Sequence, residues 1–231
     1  MRTFSMDPTC YLIELADLEQ DPLHDIVSHN LQPVTQTFDW AKDYLCNPHD
    51  ELGREGPVCP FVPYSLASGL FFITLQRGRT LTRSDVFDTI MKYRDWFLEI
   101  EPREGKRSHY KAILVLFPDI PAEDAPQIID TTQADLKPEF VAKGLMIGQF
   151  HQVPPQDSGL WNPDFRPLKS PVPLLAIRHM VPSDFPFLTK DRRFVTSYLE
   201  IYGNTIPKKQ KEHVREVTLR YGIDMDSYEL E

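Results

Sequence analysis

Prolines divide this chain. It has 21 of them in 231 residues, and where they crowd together neither a long helix nor a central strand can form. Two stretches carry the densest proline and glycine punctuation. The first is Asn47-Pro-His-Asp-Glu-Leu-Gly-Arg-Glu-Gly-Pro-Val-Cys-Pro-Phe-Val62, and the second runs from Gly144 to Met180. From Pro154 to Pro186 there are eight prolines in 33 residues. Regular structure must be concentrated outside them. The stretches themselves read as rigid irregular backbone that presents side chains from a packed scaffold to a cleft.

Between the loops the periodicities are clear. Phe38, Ala41, Tyr44 and Leu45 share one helix face over Thr37 to Leu45, which Asn47-Pro48 stops. Ser68 to Gln76, bounded by Gly69 and Gly78, reads as a buried strand, and Lys111 to Phe117 as another, closed by Pro118. Thr82 or Ser84 caps a helix carrying Val86, Phe87, Ile90, Met91, Phe97 and Leu98, with Pro102 beyond it. A helix over Pro121 to Leu136 is expected to end before Pro138, followed by strands in Val141 to Phe150 and Leu174 to Ile177. The pattern turns helical from Ser183 to Tyr202, with Gly203-Asn204 as a C-cap, and again from Pro207 to Tyr221, closed by Gly222. Residues 1–32 read as a weakly structured N-terminal arm, in which Tyr11 to Leu15 suits a strand or a short helix. Residues 33–231 read as a single α+β domain: a mixed β-sheet with helices packed on it and long proline-rich loops.

Composition excludes several partners. A formal charge of -9 argues against nucleic acid, and the basic run near Pro207 to Arg220 is broken by Glu212 and Glu216, as on a solvated helix face. The longest apolar run, Leu70 to Leu75, is far shorter than the ~20 residues of a membrane span. No membrane partner is expected. Cys10, Cys46 and Cys59 include no C-x-x-C pair, which supports neither a zinc ribbon nor a dithiol redox site. With no signal-peptide pattern, the expected location is cytoplasmic. The expected partner is a small-molecule substrate, with a homodimer left open.

A few residues could carry chemistry. Cys59, held between Pro57 and Pro60, is a nucleophile or soft metal ligand with Arg54 nearby; the bland alternative is a small buried hydrophobe. His151, at a strand end, suits an axial metal ligand or a general base; otherwise it is a hydrogen-bonded structural histidine. His49, Asp50 and Glu51, with His151 or His179, could supply two histidines and a carboxylate to iron, or simply cap turns. Arg54, Arg166 and Arg178 could each grip a substrate carboxylate, or make ordinary salt bridges. There is no G-x-S-x-G elbow, phosphate loop, dinucleotide fingerprint or H-E-x-x-H.

Glu51-Leu-Gly-Arg-Glu-Gly-Pro-Val-Cys-Pro-Phe-Val62, Gly144-Leu-Met-Ile-Gly-Gln-Phe-His151 and Asn162-Pro-Asp-Phe-Arg-Pro-Leu-Lys-Ser-Pro-Val-Pro-Leu-Leu-Ala-Ile-Arg-His-Met180 resemble an uncharacterised bacterial family. Many of its members are actinobacterial and lie among natural-product genes. The resemblance covers roughly Trp40 to Leu188. More distantly, the order of parts resembles the YqcI/YcgG family, which includes a heme-dependent N-hydroxylase of guanitoxin biosynthesis. Val58-Cys59-Pro60-Phe61 would match its Pro-Cys-x-Phe segment, and Phe150-His151-Gln152 its Leu-His-Pro element. Valine stands for the first proline and glutamine for the second, and the closing Phe-Asn-x-His element has no clear match. That resemblance implies a heme-dependent oxygenase of specialised biosynthesis, acting on an amine or amino-acid-derived nitrogen. His151 would be the axial iron ligand, Cys59 the alternative ligand or a pocket wall with Pro60 and Phe61. Arg54, Arg166 and Arg178 would hold heme propionates or substrate. Two alternatives stay open: a non-catalytic accessory protein, and a cofactor-free enzyme with Cys59 as nucleophile and His151 as base.

Overall fold

The computed structural model describes residues 1–156, 162, 164–225 and 227–228. Its first elements are an antiparallel hairpin of β1 (Arg2–Phe4) and β2 (Asp7–Leu12). Just after it, Ile13 exchanges backbone hydrogen bonds of 2.7 and 2.9 Å with Ile73. Leu12, Ile13 and Val27 have no exposed surface. Residues 1–32, read from sequence as an arm, therefore supply side chains to the core and bridge at Ile13 to one edge of the main sheet. The short α1 (Asp25–His29) leads to α2 (Leu31–Trp40), which starts ahead of the expected Thr37 and passes into a π-helical turn over Ala41–Leu45. The first focal loop then runs to α3 (Val62–Ala67).

The main sheet follows. Its strands are β3 (Phe71–Leu75), β4 (Ala112–Leu116), β5 (Leu145–Phe150) and β6 (Leu174–His179), in the order β3-β4-β6-β5. β3 and β4 are parallel, so the chain must cross over between them, and it does so through α4 (Arg83–Glu99). Thr82 caps this helix in a reciprocal box with Asp85. α5 (Thr131–Val141) precedes β5 and runs straight through Pro138. The carbonyl that Pro138 leaves without a donor belongs to Ala134, an exposed residue where water can serve it. The helix therefore ends at Val141 and the strand starts only at Leu145. β6 is antiparallel to both neighbours. Of the proline-rich stretch before it, residues 157–161 and 163 lie outside the described residues.

α6 (Arg192–Tyr202) and α7 (Lys211–Tyr221) are the last helices among the described residues. Gly203 is the C-cap of α6, as expected, but in right-handed backbone with a φ of -46°, and the chain continues into a 3-10 turn over Gly203–Thr205. It is glycine because Tyr228 passes over it, and a Cβ there would sit 2.8 Å from that side chain. Among the described residues no helix is long and apolar enough to cross a membrane.

Alternation along the strands builds two faces. Phe72, Ile113, Val115, Leu145, Ile147, Leu175 and Ile177 meet residues of α4 and α5 in one core. On the opposite face, Phe71, Ile73, Leu114, Leu116 and Leu174 meet Val34, Phe38, Ala41 and Leu45 in a second. The C-terminal helices form a third cluster with Met146 and Met180.

Lys111 is the exception in the first core. It has no exposed surface, and its Nζ donates to the carbonyls of Phe97 (2.7 Å) and Ile100 (2.5 Å) while standing 4.3 Å from the Phe97 ring centre. These carbonyls lie at the end of α4, where a helix has no donors of its own. Burial, the largest influence, pushes the lysine pKa down to about 8. Lys111→Ala, which leaves a cavity and strips donors from buried carbonyls, should cost about 3 kcal/mol in urea unfolding. Lys111→Met, which keeps the volume, should cost less; equal stability of all three proteins would exclude the capping role.

Candidate functional site

The second face of the sheet is not covered everywhere. Ala112 on β4, Gly148 on β5 and Ala176 on β6 are all partly exposed, although β4 and β6 are the two inner strands. Gly148 pairs with Ala176, and Ala112 with Arg178. Small side chains thus form a floor between the cluster of α2 with its π-helical turn and the cluster of α6 and α7. Phe150 leans over this floor, since a Cβ on Gly148 would lie 3.1 Å from its ring.

Arg178 rises from the same face. Its two terminal nitrogens each donate to an Asp184 oxygen at 2.7 Å, a bidentate pair, and Nη1 also donates to the His179 carbonyl at 3.0 Å. Asp184 is buried and accepts the Val181 N–H at 2.8 Å as well. Burial works against the guanidinium charge, but Asp184, with smaller help from Cys59 and Tyr202, raises its pKa above the ordinary value. Tyr202 of α6 donates to the Met180 carbonyl at 2.5 Å.

The first focal loop supplies Cys59. Val58 N–H donates to the Asn47 carbonyl and Cys59 N–H to that of Leu45, both at 2.9 Å, which fixes the loop against the π-helical turn. Arg54 clamps its own loop through the Glu55 and Val58 carbonyls, each at 3.0 Å. Cys59 is half-buried and packs against the apolar cluster on the same side of the sheet as Arg178. Pro60 is exposed, and Phe61 turns toward Tyr110 at 5.9 Å between ring centres.

The two focal loops meet. Asn162 donates to the Glu51 carbonyl at 2.8 Å, and the His49 and Phe165 rings lie 4.7 Å apart. Trp40 donates to the Lys169 carbonyl at 3.0 Å and packs edge-on against Phe150. Arg166 donates to the Phe165 carbonyl at 3.1 Å. His49 caps its own turn by accepting the Glu51 N–H, and among the described residues no three His, Cys, Asp or Glu side chains converge as a metal-holding group.

His151 lies elsewhere. Strand alternation sends Phe150 to the open face and His151 to the other, where it is fully buried. Its Nε2 is 2.9 Å from Asp130 and its Nδ1 accepts the Val153 N–H at 3.3 Å. Both nitrogens are engaged, so an iron at either would have to displace a partner. His151 does not fit an axial ligand, and it cannot act as a base for Cys59 across the sheet. Sequence reasoning missed Asp184, Tyr202 and the floor of Ala112, Gly148 and Ala176. The signal for Asp184 was Arg178 itself, an arginine leaving an apolar strand with a carboxylate six residues on.

The family model of a domain of unknown function, DUF6875, matches residues 34–213. No curated protein and no solved structure matches the chain.

Removing the Arg178 partner should be expensive. Asp184→Ala leaves a guanidinium and the Val181 N–H without their carboxylate, and should cost about 3 kcal/mol in urea unfolding. A loss below ~1 kcal/mol, typical of surface pairs, would show that the pair is solvated.

A pH dependence follows from His179. Its ring faces Phe97, and its Nε2 is buried with no hydrogen-bond partner among the described residues. Burial first, then the charges of Lys111 and His109, push its pKa from 6.5 down to about 4. The folded state therefore gives up a proton that the unfolded chain keeps, and this share of stability is present above pH 6.5 and lost as pH falls toward 4. His179→Phe should flatten the urea midpoint over that window. An unchanged slope would mean that other groups set it.

Proposed function

The chain belongs to the DUF6875 family, whose function is unknown, and from that footing we propose that it is an enzyme acting on a small organic molecule bound over Ala112, Gly148 and Ala176. Cys59 is the group it presents to that molecule. The observation that supports this reading is a half-buried thiol, Cys59, packed on the same side of the sheet as the Arg178–Asp184 pair and the partly exposed small side chains of Ala112, Gly148 and Ala176. Trp40 and Phe150 add apolar surface, and Arg178 adds a polar anchor fixed by its carboxylate. A mostly apolar concavity with a few fixed polar groups is the usual form of a small-molecule site. A thiolate there would attack an electrophilic carbon of the substrate, and Arg178 would orient an acceptor group on it.

A heme-dependent oxygenase of specialised biosynthesis is the second proposal, drawn from the resemblance carried by Val58-Cys59-Pro60-Phe61. That resemblance made His151 the axial ligand; with His151 on the other face, Cys59, its alternative, would hold the iron, and Arg178 could meet a propionate. Heme would supply the oxidising chemistry. The chain's part would be to hold the group, exclude water with Trp40 and Phe150, and position the substrate.

Timed alkylation with iodoacetamide near neutral pH, read by peptide mass spectrometry, tests the first reading. Cys59 should be modified well before the buried Cys10, and a small-molecule occupant should slow it. Labelling as slow as that of Cys10 would remove Cys59 from the role. Visible spectra of protein expressed with added heme precursor test the second: a stoichiometric Soret band, with a reduced carbonyl band at the thiolate position, supports it. A colourless protein leaves the cysteine reading.

A further inference from the structure

Two cysteines with 12 residues between them in the sequence, Cys46 and Cys59, are brought close together. Cys59 N–H donates to the Leu45 carbonyl at 2.9 Å, and the next peptide group, that of Val58, donates to Asn47 at 2.9 Å. Cys46 lies between those two acceptors. The Leu45 oxygen is roughly 2.8 Å from the Cys46 Cα across a trans peptide, and Cys59 N is about 1.46 Å from its own Cα. Laid end to end with the hydrogen bond, these sum to about 7.2 Å, close to the limit for a disulfide, and the bends at the oxygen and the nitrogen bring the two Cα atoms nearer than that. Both side chains are half-buried, both are free thiols, and both pack against the same apolar cluster. After burial, Cys59 is the further influence that raises the Cys46 pKa.

From this geometry we propose that Cys46 and Cys59 form a redox pair, closing reversibly to a disulfide across the base of the first focal loop. The oxidant is a low-molecular-weight disulfide. One thiolate attacks it and releases one small thiol; the second cysteine then attacks the mixed disulfide and releases the other. The protein gives up two electrons and two protons, and the small disulfide becomes two thiols. The backbone hydrogen bonds already close the loop in the reduced state, so the bridge forms with little movement. It also ties the Cys59 sulfur to the π-helical turn and away from the open face. The pair itself does not depend on what that face binds, whereas its effect as a gate rests on the proposed function.

The test uses the full chain equilibrated in graded mixtures of reduced and oxidised glutathione, acid-quenched, alkylated and digested with trypsin. Cleavage after Lys42, Arg54 and Arg77 places the two cysteines on separate peptides, residues 43–54 and 55–77. A linked pair of these peptides should appear as oxidised glutathione rises and vanish with dithiothreitol, while Cys10, buried in the opposite core, stays a free thiol. In Cys46→Ser, Cys59 should instead carry glutathione as a mixed disulfide. Peptides 43–54 and 55–77 that remain separate at every ratio, alkylated or singly glutathionylated, would overturn the proposal. A linked pair together with slow alkylation of Cys59 would keep it while removing the enzyme reading.

Discussion

The guanidinium of Arg178 leaves an inner strand on the sheet's open face, and a charge there must find its opposite. It finds Asp184 in the 3-10 turn that follows β6, and that pairing ties the turn back to the strand. The same carboxylate holds the Val181 N–H, so a single side chain sets both the arginine and the direction of the chain. Tyr202, returning from α6 to the Met180 carbonyl, closes the arrangement. Buried pairs of this kind add little net stability over apolar packing, but they penalise any other arrangement that would leave a charge alone.

Much of the scaffold was legible because local rules and tertiary packing agree there. β3 and β4 are apolar runs bounded by glycine or proline, and α4 carries its own start signal in Thr82 and Asp85. Where the two levels conflict, the sequence misleads. Pro138 looks like a stop, yet packing of Leu136, Phe140 and Val141 carries α5 past it. Gly203 is a cap, yet its backbone is right-handed, and the approach of Tyr228 is what demands glycine there. The hairpin of residues 1–12 was unreadable because Ile13 finds its partner some 60 residues away at Ile73, and no local pattern announces so distant a contact.

The candidate site divides in the same way. Cys59 and Arg178 stood out as residue types in unusual settings, and the fold places both on the same side of the sheet. His151 stood out equally, but a strand has two faces and one step of register decides which a side chain meets. Its neighbour Phe150 looks toward the open face, while His151 spends both nitrogens on Asp130 and Val153. The groups that shape the floor, Ala112, Gly148 and Ala176, matter for the volume they leave empty. Absence of bulk carries no chemical signature in a sequence.

The strand order also has a consequence during synthesis. β6 is the last strand of the main sheet in the sequence, yet it lies between β4 and β5. Until Leu174–His179 has left the ribosome, β4 has an unpaired backbone edge and β5 has none of its neighbours in place. Ala-Ile-Leu-Val-Leu of β4 is then an exposed apolar strand awaiting a partner still inside the exit tunnel. The nascent chain is therefore most vulnerable to intermolecular pairing after Phe150 emerges and before His179 does, while the proline-rich stretch is being translated.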